Sequence, residues 1–181
     1  MMQGFELKRT VFFVGFMGAG KTTTARKLAR LAGLTAVDMD TYLQRREGKT
    51  VKQIFAEVGE EGFRRIETDV LRELGSGEPQ LVSCGGGVVL MPENRQILKE
   101  AGFVVYLQVT AREAASRISN FESRPLFGDL ENAQRVASSR EALYQEVADV
   151  SIDTAGRGTN SIASQVFDVL KKEGILWPRE S

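Results

Sequence analysis

The sequence predicts a single α/β domain, with five parallel strands flanked by helices and a mobile lid. Three observations carry that expectation. Short apolar runs alternate with amphipathic segments along the 181 residues, the pattern of a parallel sheet covered by helices. Two strand candidates, residues 11–14 and 103–109, are nearly continuous in apolar, β-branched and aromatic residues, as strands buried on both faces are. The first runs into Gly15-Phe-Met-Gly-Ala-Gly-Lys21-Thr22 and then into a helical pattern. That is a phosphate-binding loop in its strand–loop–helix setting.

Each element has its own warrant. The remaining strand candidates are residues 34–38, 80–83 and 150–152. Ala25, Leu28, Ala29 and Ala32 repeat at helical spacing and Gly33 closes the segment, since a glycine readily takes the left-handed conformation that ends a helix. Phe63, Ile66, Val70 and Leu74 mark a second apolar stripe, and Thr41 and Tyr42 open a possible helix after Asp40. Later helices are expected at 93–101, 111–118, 131–147 and 161–172. Residues 121–130 mix Arg, Pro, Gly and acids between two helices, which suits a flap over a site, so the lid is placed at about 118–130. The terminal Trp177-Pro-Arg-Glu-Ser181 reads as a frayed tail.

Composition excludes several classes. Lys plus Arg equals Asp plus Glu, 24 each, so no global field draws the chain to nucleic acid or a membrane surface. With no histidine in the chain, acid–base chemistry and metal ligation must use other groups. The single cysteine, Cys84, forbids an intramolecular disulfide and suits a reducing compartment. No apolar stretch approaches bilayer length and Glu6, Lys8 and Arg9 interrupt any leader-like run. The expected location is the cytoplasm.

In the phosphate loop, glycines let backbone N–H groups turn inward, and the following helix presents its positive end to the same concavity. Gly18, Ala19, Gly20, Lys21, Thr22 and Thr23 are the candidate nucleotide contacts. Lys21 can reach terminal phosphates and the Thr22 hydroxyl can ligate Mg²⁺. Three further constellations stand out, each with a plainer reading. Asp38 and Asp40 sit two apart at a strand end, where both can point to one side; such pairs also cap helices. Arg64 and Glu67 are helical neighbours; most such pairs are solvated surface contacts. Gly85-Gly-Gly87 follows a strand and would let a ligand approach backbone amides, although glycine runs are commonly turns.

Taken together and in order, these blocks resemble the shikimate kinase family. The matching stretches are Gly-Phe-Met-Gly-Ala-Gly-Lys-Thr-Thr (15–23), Asp-Met-Asp (38–40), Phe-Arg-Arg-Ile-Glu (63–67), Cys-Gly-Gly-Gly (84–87), Ser-Arg-Pro-Leu (123–126) and Arg-Glu-Ala-Leu-Tyr (140–144). The likeness is collinear over roughly residues 10–170. It implies a P-loop kinase fold, acting as a cytoplasmic monomer, that transfers phosphate from ATP to the shikimate 3-hydroxyl and yields shikimate 3-phosphate and ADP, a step of aromatic amino acid biosynthesis.

Position by position, the resemblance implies that Asp40, Arg64 and Gly85, Gly86 and Gly87 bind shikimate, in an acceptor region at about 39–70. By the same resemblance, Arg140 matches the second arginine on the acceptor carboxylate, and Arg124 resembles the lid arginine over the transferring phosphoryl group. The resemblance also implies that Arg117 and Arg157 contact the adenine end and that Asp38 stands near Mg²⁺ through water. The physical reading agrees: two arginines offer planar donor forks, Asp40 can orient the attacking hydroxyl, and Glu67 can fix the Arg64 rotamer. Ala142 departs from the family, standing where proline is common.

Other functions meet specific obstacles. A nucleoside monophosphate kinase needs an apolar slot for an acceptor base, whereas Asp40, Arg64 and a glycine platform suit a small hydroxylated acid. A gluconate-type kinase fits the same physics. A GTPase-like switch is echoed by Asp153-Thr-Ala-Gly156, but this lies far from the phosphate loop and no Asn-Lys-x-Asp motif accompanies it.

Overall fold

The computed structural model describes residues 4–117 and 130–180. A five-stranded parallel sheet has the order β3-β4-β2-β5-β6, with β2 at Thr10–Val14, β3 at Ala36–Asp38, β4 at Leu81–Ser83, β5 at Gly102–Gln108 and β6 at Val150–Asp153. Every residue of β2 is buried. Its alternate side chains serve two cores. Val11 and Phe13 pack with Leu28 of α1 (Lys21–Ala32) and Ile162, Val166 and Leu170 of α7 (Thr159–Lys172). Phe12 and Val14 pack on the opposite face with Leu71 of α3 (Val51–Ser76), Leu98 of α4 (Pro92–Ala101) and Tyr144 of α6 (Leu130–Val147). The remaining helices are α2 (Met39–Glu47) and α5 (Ala111–Arg117). The unbroken apolar runs of the sequence therefore mark two-sided burial.

Differences from the sequence expectations have local causes. The strand expected from residue 34 starts at Ala36, because the Leu34 N–H is spent on the Ala29 carbonyl at the end of α1. The second apolar stripe belongs to a longer helix that begins at Val51 under a Thr50–Gln53 capping box and bends at Gly59, whose φ of 69° no helix accommodates. The frayed tail is a correction. Leu176–Pro178 forms β7 and pairs antiparallel with β1, Phe5–Leu7, in the register Phe5 to Pro178, and the Arg179 N–H donates to the Gly4 carbonyl. The predicted lid, apart from Leu130 at the start of α6, lies outside the described residues. No helix among the described residues is long and apolar enough to cross a membrane.

Candidate active site

Parallel strands place all their C-terminal ends on one edge, where loops can meet. Here β2 delivers the glycine loop, β3 delivers Asp38, β4 delivers Ser83 and Gly85–Gly87, and β6 leads to Arg157. A cavity of about 660 Å³ opens at that edge, lined by residues 17–23, Asp38, Asp40, Ser83–Gly86, Arg117 and 157–159 among others.

The glycine loop has the conformation its sequence requires. Gly20 sits at φ 86° as it enters α1, and a Cβ on Gly15 would lie 2.5 Å from the Leu107 carbonyl oxygen. Lys21 is buried, and its Nζ donates to the Gly15 and Phe16 carbonyls at 2.6 and 3.1 Å. The ammonium is thereby folded over the loop that it serves.

Thr22 Oγ1 donates to Asp38 Oδ2 at 2.7 Å and lies 2.9 Å from Ser83 Oγ. Asp38 also caps α2, accepting from Thr41 N at 2.9 Å, so the capping and site readings of this residue both hold. Burial pushes its carboxyl up, but the Thr22 and Thr41 hydrogen bonds outweigh that and hold it below its ordinary value. Asp40 occupies the first turn of α2 rather than the strand. Helix geometry, not strand alternation, carries it to the cavity.

The acceptor-side groups converge on the second glycine run. A Cβ on Gly85 would lie 3.3 Å from both Asp40 Oδ1 and Glu67 Oε2. One on Gly86 would be 3.7 Å from Arg140 Nη1 and 3.5 Å from the backbone N of Met17 in the phosphate loop. One on Gly87 would collide with Arg64, at 2.5 Å from both Nη1 and Nη2. Charged side chains crowd Gly85 and Gly87, whereas a Cβ on Gly86 would meet only ordinary contacts. Arg64 Nη1 donates to Glu67 Oε1 at 2.8 Å, and Arg64, Glu67 and Arg140 are all buried, so this pair is no solvated surface contact. Burial pushes the Glu67 carboxyl up, Arg64 pulls it back, and Asp40 adds to the rise. Arg64 Nε is buried without a hydrogen-bond partner among the described residues.

At the far end of the cavity Arg117 donates to Glu113 Oε1 at 2.7 Å and to the Thr154 carbonyl at 3.1 Å. Arg157 is held by Gln165 Oε1 at 2.6 Å and by Ser161 Oγ at 3.1 Å. Of the predicted site residues, Arg124 lies outside the described residues. The others meet at this edge, although Gly87, Arg64, Glu67 and Arg140 stand behind the cavity's lining. Sequence reasoning missed Ser83 and Glu113, single polar residues for which no spacing signal exists.

Comparison with known proteins agrees with this geometry. The shikimate kinase family profile matches residues 17–171. The chain belongs to the shikimate kinase family. A shikimate kinase of Actinobacillus succinogenes is 39% identical over 167 residues, 90% of this chain and 95% of that protein. The structure of shikimate kinase from Acinetobacter baumannii in complex with shikimate superposes with a TM-score of 0.85 at 36% identity, covering 91% of this chain and 94% of that one. A gluconokinase from Sinorhizobium meliloti shares the fold alone, at a TM-score of 0.57 and 18% identity, over 93% of this chain and 94% of that one. The fold by itself therefore does not decide the acceptor.

Proposed function

We infer that this chain transfers the terminal phosphoryl group of ATP to the 3-hydroxyl of shikimate, releasing ADP and shikimate 3-phosphate. One observation supports this above the others: two buried arginines and two carboxylates converge on a bare glycine loop that packs against a phosphate loop. A small acid seated there places its carboxylate within reach of cationic forks and its hydroxyls near Asp40 and the nucleotide.

In this reading Arg64 and Arg140 bind the acceptor carboxylate, and Gly85–Gly87 supply close backbone approach. Asp40 orients the attacking hydroxyl by accepting its proton in a hydrogen bond. The oxygen's electron pair forms the new bond to the γ-phosphorus as the bond to the β–γ bridging oxygen breaks, and Asp40 takes the proton late in transfer. Lys21, and Arg124 from the lid, balance charge on the phosphoryl oxygens, while Gly18–Thr23 cradle the phosphates and Arg117 and Arg157 flank the base. Glu67 holds the Arg64 fork in position.

Thr22 and Asp38 would hold Mg²⁺, directly and through water. Their oxygen atoms, with Ser83 Oγ nearby, suit a hard cation that keeps much of its own hydration. When bound, the ion supplies positive charge to the β- and γ-phosphates. The reading takes the enzyme as a cytoplasmic monomer. In support, of the exposed large apolar side chains among the described residues only Phe55 and Val58 share an element.

The test is ADP release across a panel of shikimate, gluconate, nucleoside monophosphates and water. Shikimate alone should support rapid turnover. Faster release with gluconate or a nucleotide would refute the assignment.

A further inference from the structure

We propose that Tyr144 is a positioning residue for the acceptor, acting through the Gly86 peptide and Arg140; this rests on the acceptor reading given above. Tyr144 is buried in the middle of the site's supporting layer, and its phenol donates to the Gly86 carbonyl at 2.5 Å. A peptide unit is planar, so fixing that carbonyl also fixes the Gly87 N–H on the opposite edge of the same plane. Gly87 is the residue that Arg64 packs against.

Tyr144 stands four residues after Arg140 on α6 and so shares its face. The Arg140 charge partly offsets the burial that pushes the phenol up to about 12. The phenol therefore stays protonated at neutral pH and keeps its donor role. On its other side the ring stacks on Tyr106, with centroids 5.2 Å apart and planes at 28°. Tyr106 pairs with Val14, the residue immediately before the phosphate loop.

One side chain thus joins the acceptor glycines, the acceptor arginine and the strand that neighbours the phosphate loop. Any buried phenol needs an acceptor; here the acceptor is a carbonyl of the ligand platform itself. The Tyr144 hydroxyl thereby sets the height of the Gly86–Gly87 peptide relative to the nucleotide.

The test is Tyr144→Phe, which keeps the stacked ring and removes the hydroxyl, measured by steady-state kinetics beside Arg140→Ala and with thermal unfolding of each. The KM for shikimate should rise about tenfold in Tyr144→Phe, with the KM for ATP within twofold and kcat within threefold of wild type. An unchanged shikimate KM overturns the proposal. Parallel loss of ATP and shikimate affinity, or loss of folding, assigns Tyr144 to the core and also overturns it. So does a fall in kcat at constant KM. If Arg140→Ala leaves shikimate KM unchanged as well, the acceptor reading itself falls. If only Tyr144→Phe is silent, that reading stands without Tyr144.

Discussion

Gly87→Ala offers a separation of acceptor binding from nucleotide binding. Gly87 has φ −92° and ψ 4°, a bridge-region conformation that is open to alanine and needs no positive φ. Its added Cβ would meet Arg64 Nη1 and Nη2 at 2.5 Å and Cζ at 2.8 Å, far inside van der Waals contact. What must yield is the far end of a long side chain, so the guanidinium moves and the backbone stays.

A displaced fork forfeits about one charge-assisted hydrogen bond to the acceptor carboxylate, about 1.5–3 kcal/mol. That corresponds to about 10- to 150-fold in shikimate affinity. The Arg64–Glu67 bond loosens as well, so a stability loss of about 1–3 kcal/mol accompanies it. Gly87 does not line the nucleotide cavity, and ATP affinity should be unchanged. Gly102→Ala is the contrasting case: its Cβ would lie 2.4 Å from the Thr10 carbonyl oxygen and 2.5 Å from the Phe12 ring. There the sheet itself must move, and stability, not affinity, should suffer. Calorimetric titration with shikimate and with ATP, beside urea unfolding, reads all of these. A folded Gly87→Ala protein that binds shikimate within twofold of wild type would refute the placement of Arg64 on the acceptor.

Lys21→Met should abolish ADP release in a coupled assay while preserving the unfolding free energy within about 1 kcal/mol, since the ammonium serves phosphates more than the core; residual turnover near wild type would contradict its role. Asp40→Asn should lower kcat at least about 100-fold, the low end for a lost acid–base group, with ATP affinity retained; an unchanged kcat removes Asp40 from the chemistry. Asp38 gives a pH signature. Its folded carboxyl lies below the ordinary 3.8, so its contribution is present above that value and lost as pH falls through the folded one. Asp38→Asn should flatten part of the acid dependence of the urea midpoint below about pH 3.8; an unaltered slope would mean that Thr22 and Thr41 do not hold the ionised form.

What was legible in the sequence was what short range determines. The phosphate loop, the apolar strands and the Gly33 helix stop depend on neighbours within a few residues, and each is found within two residues of its expected bounds. The burial of Arg64 and Glu67 was not legible, because a charged pair at that spacing looks the same on a solvated helix; only the packing of α3 under the Gly85–Gly87 loop decides it. The β1–β7 pair joins residues from the two ends of the chain, and Pro178 disguises it as a tail because proline is confined to sheet edges. The start of α3 did carry a signal in Thr50 and Gln53, but Gly59 and Gly62 obscured the helical pattern beyond it.

A chain of zero net charge that binds two anionic ligands must concentrate cations locally, and buried cations need partners. Breaking a buried ion pair by removing one partner costs about 3–5 kcal/mol, so the buried Arg64 arrives with Glu67; the less buried Arg117 and Arg157 are held by Glu113 and by Gln165 and Ser161. A guanidinium has five donors, and one carboxylate bond leaves others for a ligand. The buried Arg64 Nε has no partner among the described residues, so the fork can serve its structural anion and its acceptor together. An ammonium is a point charge on a flexible stem; paired with Glu67 it would lack a second, rigidly directed edge. On the acceptor reading proposed above, a single side chain must satisfy the core and still present planar donors, which favours arginine over lysine at position 64.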